Sequence, residues 1–159
     1  MARVVRLTES SRARRRVIGV VVVGLLLAVT AGAAAGILSS LGVAKRTVAG
    51  KSESIVVDRR GVAVYELSGE SLAHLLCTTR ACLNIWLPVQ VRSASSRPPK
   101  TAGVPGTLSI LRRVRGGFYQ VMLDRHPLYY YSGDGDSTTS TKGQGLSSFG
   151  GTWHVVKAG

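Results

Sequence analysis

A motif written twice limits what this chain can fold into. His126-Pro127-Leu128-Tyr129-Tyr130-Tyr131-Ser132-Gly133-Asp134 is a short aromatic strand reached through a proline and left through Ser-Gly-Asp. A weaker copy lies upstream in Gly61–Glu70, and both read Tyr-x-(Tyr or Leu)-Ser-Gly-acid, from Tyr65 to Glu70 and from Tyr129 to Asp134. About twenty residues after each copy comes a tryptophan, Trp86 and then Trp153. Short β-branched and aromatic runs separated by Gly, Asp and Pro are the signature of small antiparallel sheets. The expected fold is therefore mostly β, a small antiparallel domain with a degenerate internal repeat whose units cover about 54–91 and 107–157.

In the first unit Ser54–Asp58 and Val62–Leu67 are strand runs joined by Arg59-Arg60-Gly61, a turn of hairpin length. Alternation puts Val62 and Val64 on one face and Ala63, Tyr65 and Leu67 on the other, with Tyr65 a core residue whose hydroxyl sits at the rim. Ser71–Trp86 has few β-branched residues and room for one short helix. A Ser/Pro/Gly-rich loop, 92–106, leads to the second unit. There Thr107–Val114, Phe118–Asp124 and Leu128–Ser132 read as a meander. Tyr119, Val121 and Leu123 share one face; on the last strand Tyr129 and Tyr131 oppose Leu128 and Tyr130, and one of those faces is free to present an aromatic at the surface. Thr152–Val156 closes the chain as a strand.

Ahead of this domain, Val17–Leu38 is apolar except for Thr30. About 22 residues at about 1.5 Å each reach about 33 Å, enough for a hydrocarbon core of roughly 30 Å. The arginine-rich residues 1–16 outweigh Lys45, Arg46 and Lys51 beyond the run, which places the leader in the cytoplasm and residues 45–159 outside. Two readings stand, a retained transmembrane anchor over 17–38, or a cleaved signal with Val17–Val29 as its apolar core and Ala31–Ala35 as its small-residue site. Residues 39–53, polar and basic without an apolar period, read as a linker.

The net charge of +13 is densest beside the apolar run and so belongs to membrane topology rather than to nucleic-acid binding. Cys77 and Cys82, on the outer side of a membrane, are expected to pair as a disulfide. Two alternatives use the same residues: an exchangeable redox pair, whose usual spacing is two residues, or a soft-metal site completed by His74, His126 or His154. Asp134, Asp136 and Thr138 loosely echo a calcium loop but lack its glycine and terminal glutamate. Asp134 is expected to bond backbone amides of its own loop instead. No nucleophile–base or paired-carboxylate spacing accompanies the Ser-rich loops. The chain is expected to be no enzyme and to need no cofactor or metal. Its partners are expected to be the membrane, through 17–38, and an unidentified component of the cell envelope.

Tyr129-x-Tyr131-x-x-Asp134 resembles the Y-x-(F/W/Y)-x-x-D signature of a group of bacterial lipoproteins also called the secreted repeat of unknown function. Asp58-x-x-Gly61 before Tyr65, Cys77 to Pro88, and Gly143-Gln144-Gly145 before Trp153-His154-Val155 extend the resemblance over about 54–157. Leu67 and Glu70 depart from the signature, the cysteines lie one residue further apart, Leu87-Pro88 replaces Pro-Pro after Trp86, and the lipid-attachment cysteine is absent. The resemblance implies export and a β-rich fold, and it implies no activity and no catalytic residue. The motif residues to locate are Tyr65, Trp86, Tyr129, Tyr131, Asp134 and Trp153.

Overall fold

The computed structural model describes residues 40–159. The leader and the apolar segment 17–38 lie outside them. No helix among the described residues is long and apolar enough to cross a membrane.

The described residues open with a hairpin of β1 (Leu41–Val48) and β2 (Lys51–Asp58), paired along their whole lengths. Ala49 and Gly50 turn it with φ of 48° and 81°, positive at both central positions as the right-handed twist of a two-residue hairpin requires. Residues 39–53 are expected as a linker; the described part of that stretch is largely strand. Only Leu41 and Val48 at the ends of β1 are buried, so the sequence between them shows no apolar period. After a turn at 59–61 the chain returns against β2, with Val57 opposite Ala63, and continues into β3 (Tyr65–Leu67). Among the described residues the one α-helix, short α1 (Arg80–Ile85), is capped by Thr79, whose side chain accepts from the Cys82 amide. It leads directly into β4 (Trp86–Pro88) and β5 (Gln90–Val91).

The second unit repeats this plan. β6 (Leu108–Arg113) and β7 (Phe118–Leu123) form a hairpin, and β8 (His126–Pro127) folds back on β7. β9 (Tyr129–Tyr131) follows, then a 3-10 turn over Ser132–Asp134, then β10 (Ser147–Ser148) and β11 (Gly151–Val155). The sheets run β1-β2, β5-β7-β6 with β8 on β7, and β10-β11-β3-β9-β4.

The halves match at the level of single hydrogen bonds. Val64 donates to Val56, Val56 to Val156 and Val156 to Val64, a closed ring of three backbone bonds. Leu128 donates to Val121, Val121 to Val89 and Val89 to Leu128, the same ring. Val64 and Leu128 each precede the motif tyrosine, and Val89 and Val156 each stand three residues after a tryptophan. Each ring, however, borrows its third member from the other unit. The same equivalence sets β1 against β6, since Val43 faces Val56 as Ile110 faces Val121. The first unit therefore begins at Leu41, earlier than the expected 54.

Two cores result. One gathers Val56, Val62, Val64, Val121, Leu123, Leu128 and Tyr130; the other gathers Ile55, Ala63, Tyr65, Leu67, both tryptophans, both cysteines and Tyr129. The period-2 faces of the motif strands separate between the cores as the alternation predicts. No face of β9 is left to solvent: Tyr129 and Tyr130 are buried and Tyr131 is half-buried, because core lies on both sides.

Candidate functional site

The motif residues meet at the centre of the five-stranded sheet. Tyr65 on β3 lies directly opposite Tyr129 on β9. Flanking this pair, Leu67 faces Trp153 and Tyr131 faces Trp86. The tryptophan of each unit thus pairs with the motif strand of the other. Their indoles stack at 3.8 Å between centroids with only 7° between planes. Each motif tyrosine meets the tryptophan of its own unit edge-on, Tyr65 to Trp86 at 5.5 Å and Tyr129 to Trp153 at 5.1 Å. Gly143 is fitted against this cluster: a Cβ there would come within 2.8 Å of the Tyr65 ring and 2.9 Å of Trp86.

The acids cross over as well. The Tyr65 hydroxyl donates to Asp134 Oδ2 at 2.5 Å, and the Tyr129 hydroxyl donates to Glu70 Oε2 at 2.8 Å. Each carboxylate also gathers the loop behind it. Asp134 Oδ1 accepts from Ser140 Oγ and the Lys142 amide, and Glu70 Oε1 accepts from the Leu76 and Cys77 amides. Glu70, a departure from the signature in sequence, fills the same place in the first copy as Asp134 in the second. Tyr65 is a core residue, but its hydroxyl lies inside on Asp134 rather than at the rim, because the loop 134–143 closes over it.

Burial first, and the neighbouring carboxylate second, push the Tyr65 and Tyr129 hydroxyls far above the usual phenol range. Tyr130 is pushed the same way by burial and by Asp58, which also accepts from the Arg60 and Val62 amides and from Arg60 Nε. These phenols are held as donors, not poised as bases. Arg113 and Gln120, which alternation alone does not single out, join the buried polar set: Arg113 Nη2 donates to the Cys77 carbonyl and Gln120 Nε2 to that of Leu128.

The remaining candidates separate. Cys77 and Cys82 form a disulfide and are both fully buried, which removes the thiolates from a redox or soft-metal role in this state. His74 is exposed and lies apart from the cleft next described. His126 and His154 line one open cleft of about 490 Å³ together with Glu66, Asp124, Gln144 and Lys157. Since a carbonyl only accepts, His126 Nδ1 donates to Glu70 O and carries the proton. His154 Nδ1 accepts from Gln144 Nε2, whose Oε1 takes the Val155 amide. In the calcium-like stretch Asp134 is occupied as above and Asp136 pairs with Arg60 at 2.7 Å.

The model of a family described as a secreted repeat of unknown function matches residues 115–157, from the β6–β7 turn to just beyond β11. No curated protein and no solved structure matches the chain at a significant level.

Proposed function

With the match of residues 115–157 to a secreted repeat of unknown function as the premise, we propose that the protein is an extracytoplasmic β domain that binds or supports a component of the cell envelope and carries out no catalysis of its own. It is tethered through residues 17–38, or released when that segment is cleaved. One observation carries this reading: the motif residues satisfy each other. The Tyr65 hydroxyl is paired with Asp134 and the Tyr129 hydroxyl with Glu70, and the tryptophans between them are buried. The motif therefore works as the lock of the fold, and a partner would meet the outer surface, including the cleft of Glu66, His126 and His154. The disulfide agrees with an oxidising compartment. Alkaline phosphatase, which folds to activity only outside the cytoplasm, tests the location when fused behind Gly159. The fusion is expected to be active in intact cells; an inactive fusion, with a cytoplasmic reporter active at the same place, would overturn the proposal. The N-terminal mass of the mature protein separates anchor from cleaved signal.

A further inference from the structure

The β6–β7 hairpin ends in Arg112-Arg113-Val114-Arg115-Gly116-Gly117, and its tip has an unusual surface. Val114 is 86% exposed, whereas the other exposed large apolar residues lie between 37% and 42%. A lone exposed valine needs no explanation. This one is ringed by bases. Arg112 and Arg115 are exposed beside it. Val91 and Arg112 flank Tyr119 on either side across the three strands, so Arg92, one residue beyond Val91, emerges at the same end of the sheet. Arg113, buried behind the tip, donates to the Cys77 carbonyl and so holds the turn before exposed Arg80 against the same hairpin.

The surrounding sequence supplies no acid to offset this charge. Residues 71–123 contain no aspartate or glutamate. The nearest acids in the chain are Glu70, buried on Tyr129, and Asp124, which accepts from the Thr107 amide at the far end of the hairpin. Among the described residues the ion pairs take Arg60 and Lys157, none of the tip arginines.

We propose that the β6–β7 hairpin tip docks on the surface of a bilayer rich in anionic phospholipid, with Val114 entering the interface and Arg112, Arg115 and Arg92 on the headgroup phosphates. An apolar tip collared by cations suits such an interface, where burial and electrostatic attraction add. A soluble polyanion would engage the arginines and leave Val114 without a role. Each arginine near an anionic surface strengthens docking about fivefold.

The full chain, carrying Val114→Cys labelled with an environment-sensitive dye, is reconstituted into nanodiscs of phosphatidylcholine alone or mixed with phosphatidylglycerol. The dye is expected to brighten and shift to the blue only with phosphatidylglycerol. The same label at exposed Thr139, introduced as Thr139→Cys, should respond to neither. Arg112→Gln with Arg115→Gln should weaken the response about 25-fold, about fivefold for each arginine, with unchanged circular dichroism. Equal signals in both lipids, or an equal response at position 139, would overturn the proposal. So would the same shift on adding polyphosphate to neutral nanodiscs, which would assign the arginines to a soluble polyanion.

Discussion

Trp153→Ala removes a side chain with no solvent exposure and three distinct contacts: the face stacked on Trp86, the edge of Tyr129, and the hydrogen bond from Nε1 to Ser148 Oγ. Emptying a buried aromatic site costs about 3–5 kcal/mol, and the value here should fall in the upper part of that range because the hydrogen bond to Ser148 on β10 is lost as well. Against a total of about 5–15 kcal/mol, the variant is expected to be barely folded or clearly destabilised. The repeat makes a second demand. Trp86 stands in the matching position, so Trp86→Ala should cost a similar amount. Because the two indoles touch, the double variant should cost less than the sum by about 0.5–1.5 kcal/mol, the worth of an aromatic pair beyond its burial. Urea unfolding followed by far-ultraviolet circular dichroism measures all three without relying on the fluorescence being altered. An unchanged midpoint in Trp153→Ala would remove the C-terminal strand from the core. Additive single effects would mean that the two rings do not meet.

Alkali tests the buried phenols. Tyr65, Tyr129 and Tyr130 bind their protons more tightly folded than unfolded, so their contribution is full below about pH 10 and is lost as pH rises from there. Three such groups remove about 4 kcal/mol per pH unit, which should unfold the domain between about pH 11 and 14, with phenolate absorbance and loss of structure rising together. Tyr65→Phe should reduce that slope by about a third; gradual phenolate formation with the dichroism intact would count against the assignment. Cys77→Ser opens a loop with a sequence separation of 5 and should cost about 2 kcal/mol on the chain-entropy relation, measured by denaturant unfolding beside the reduced wild type. Freely reactive thiols in the exported protein would contradict the disulfide.

Part of this arrangement is visible in the sequence. The alternation through Val62–Leu67 and Leu128–Tyr131 assigns each side chain to the face it occupies, because both strands have core on both sides and every residue is placed by the pleat. β1 is hidden because its middle residues, among them Lys45 and Thr47, face solvent. The repeat itself holds the missing clue: a strand ahead of Phe118 in the second unit implies one ahead of Ser54 in the first. Glu70 is misjudged when compared by residue type, since the longer carboxylate reaches Tyr129 from the equivalent position. The crossing is not legible at all. Two similar segments fit equally well whether each closes on itself or exchanges its tryptophan strand, and only the pairing of Trp86 with Tyr131 and of Trp153 with Leu67 distinguishes these.

That exchange can be trapped covalently. Glu66 on β3 and His154 on β11 are direct cross-strand partners, both only partly buried, and they point away from Tyr65 and Trp153. Facing positions in an antiparallel pair bring Cα atoms to about 4.5–5.5 Å, within the range a disulfide spans. In Glu66→Cys with His154→Cys, peptide mapping after mild oxidation is expected to find positions 66 and 154 joined within one molecule beside the native Cys77–Cys82 bond. Two free thiols at 66 and 154, or links formed only between molecules, would contradict a fold in which the last strand of the second unit closes on the first.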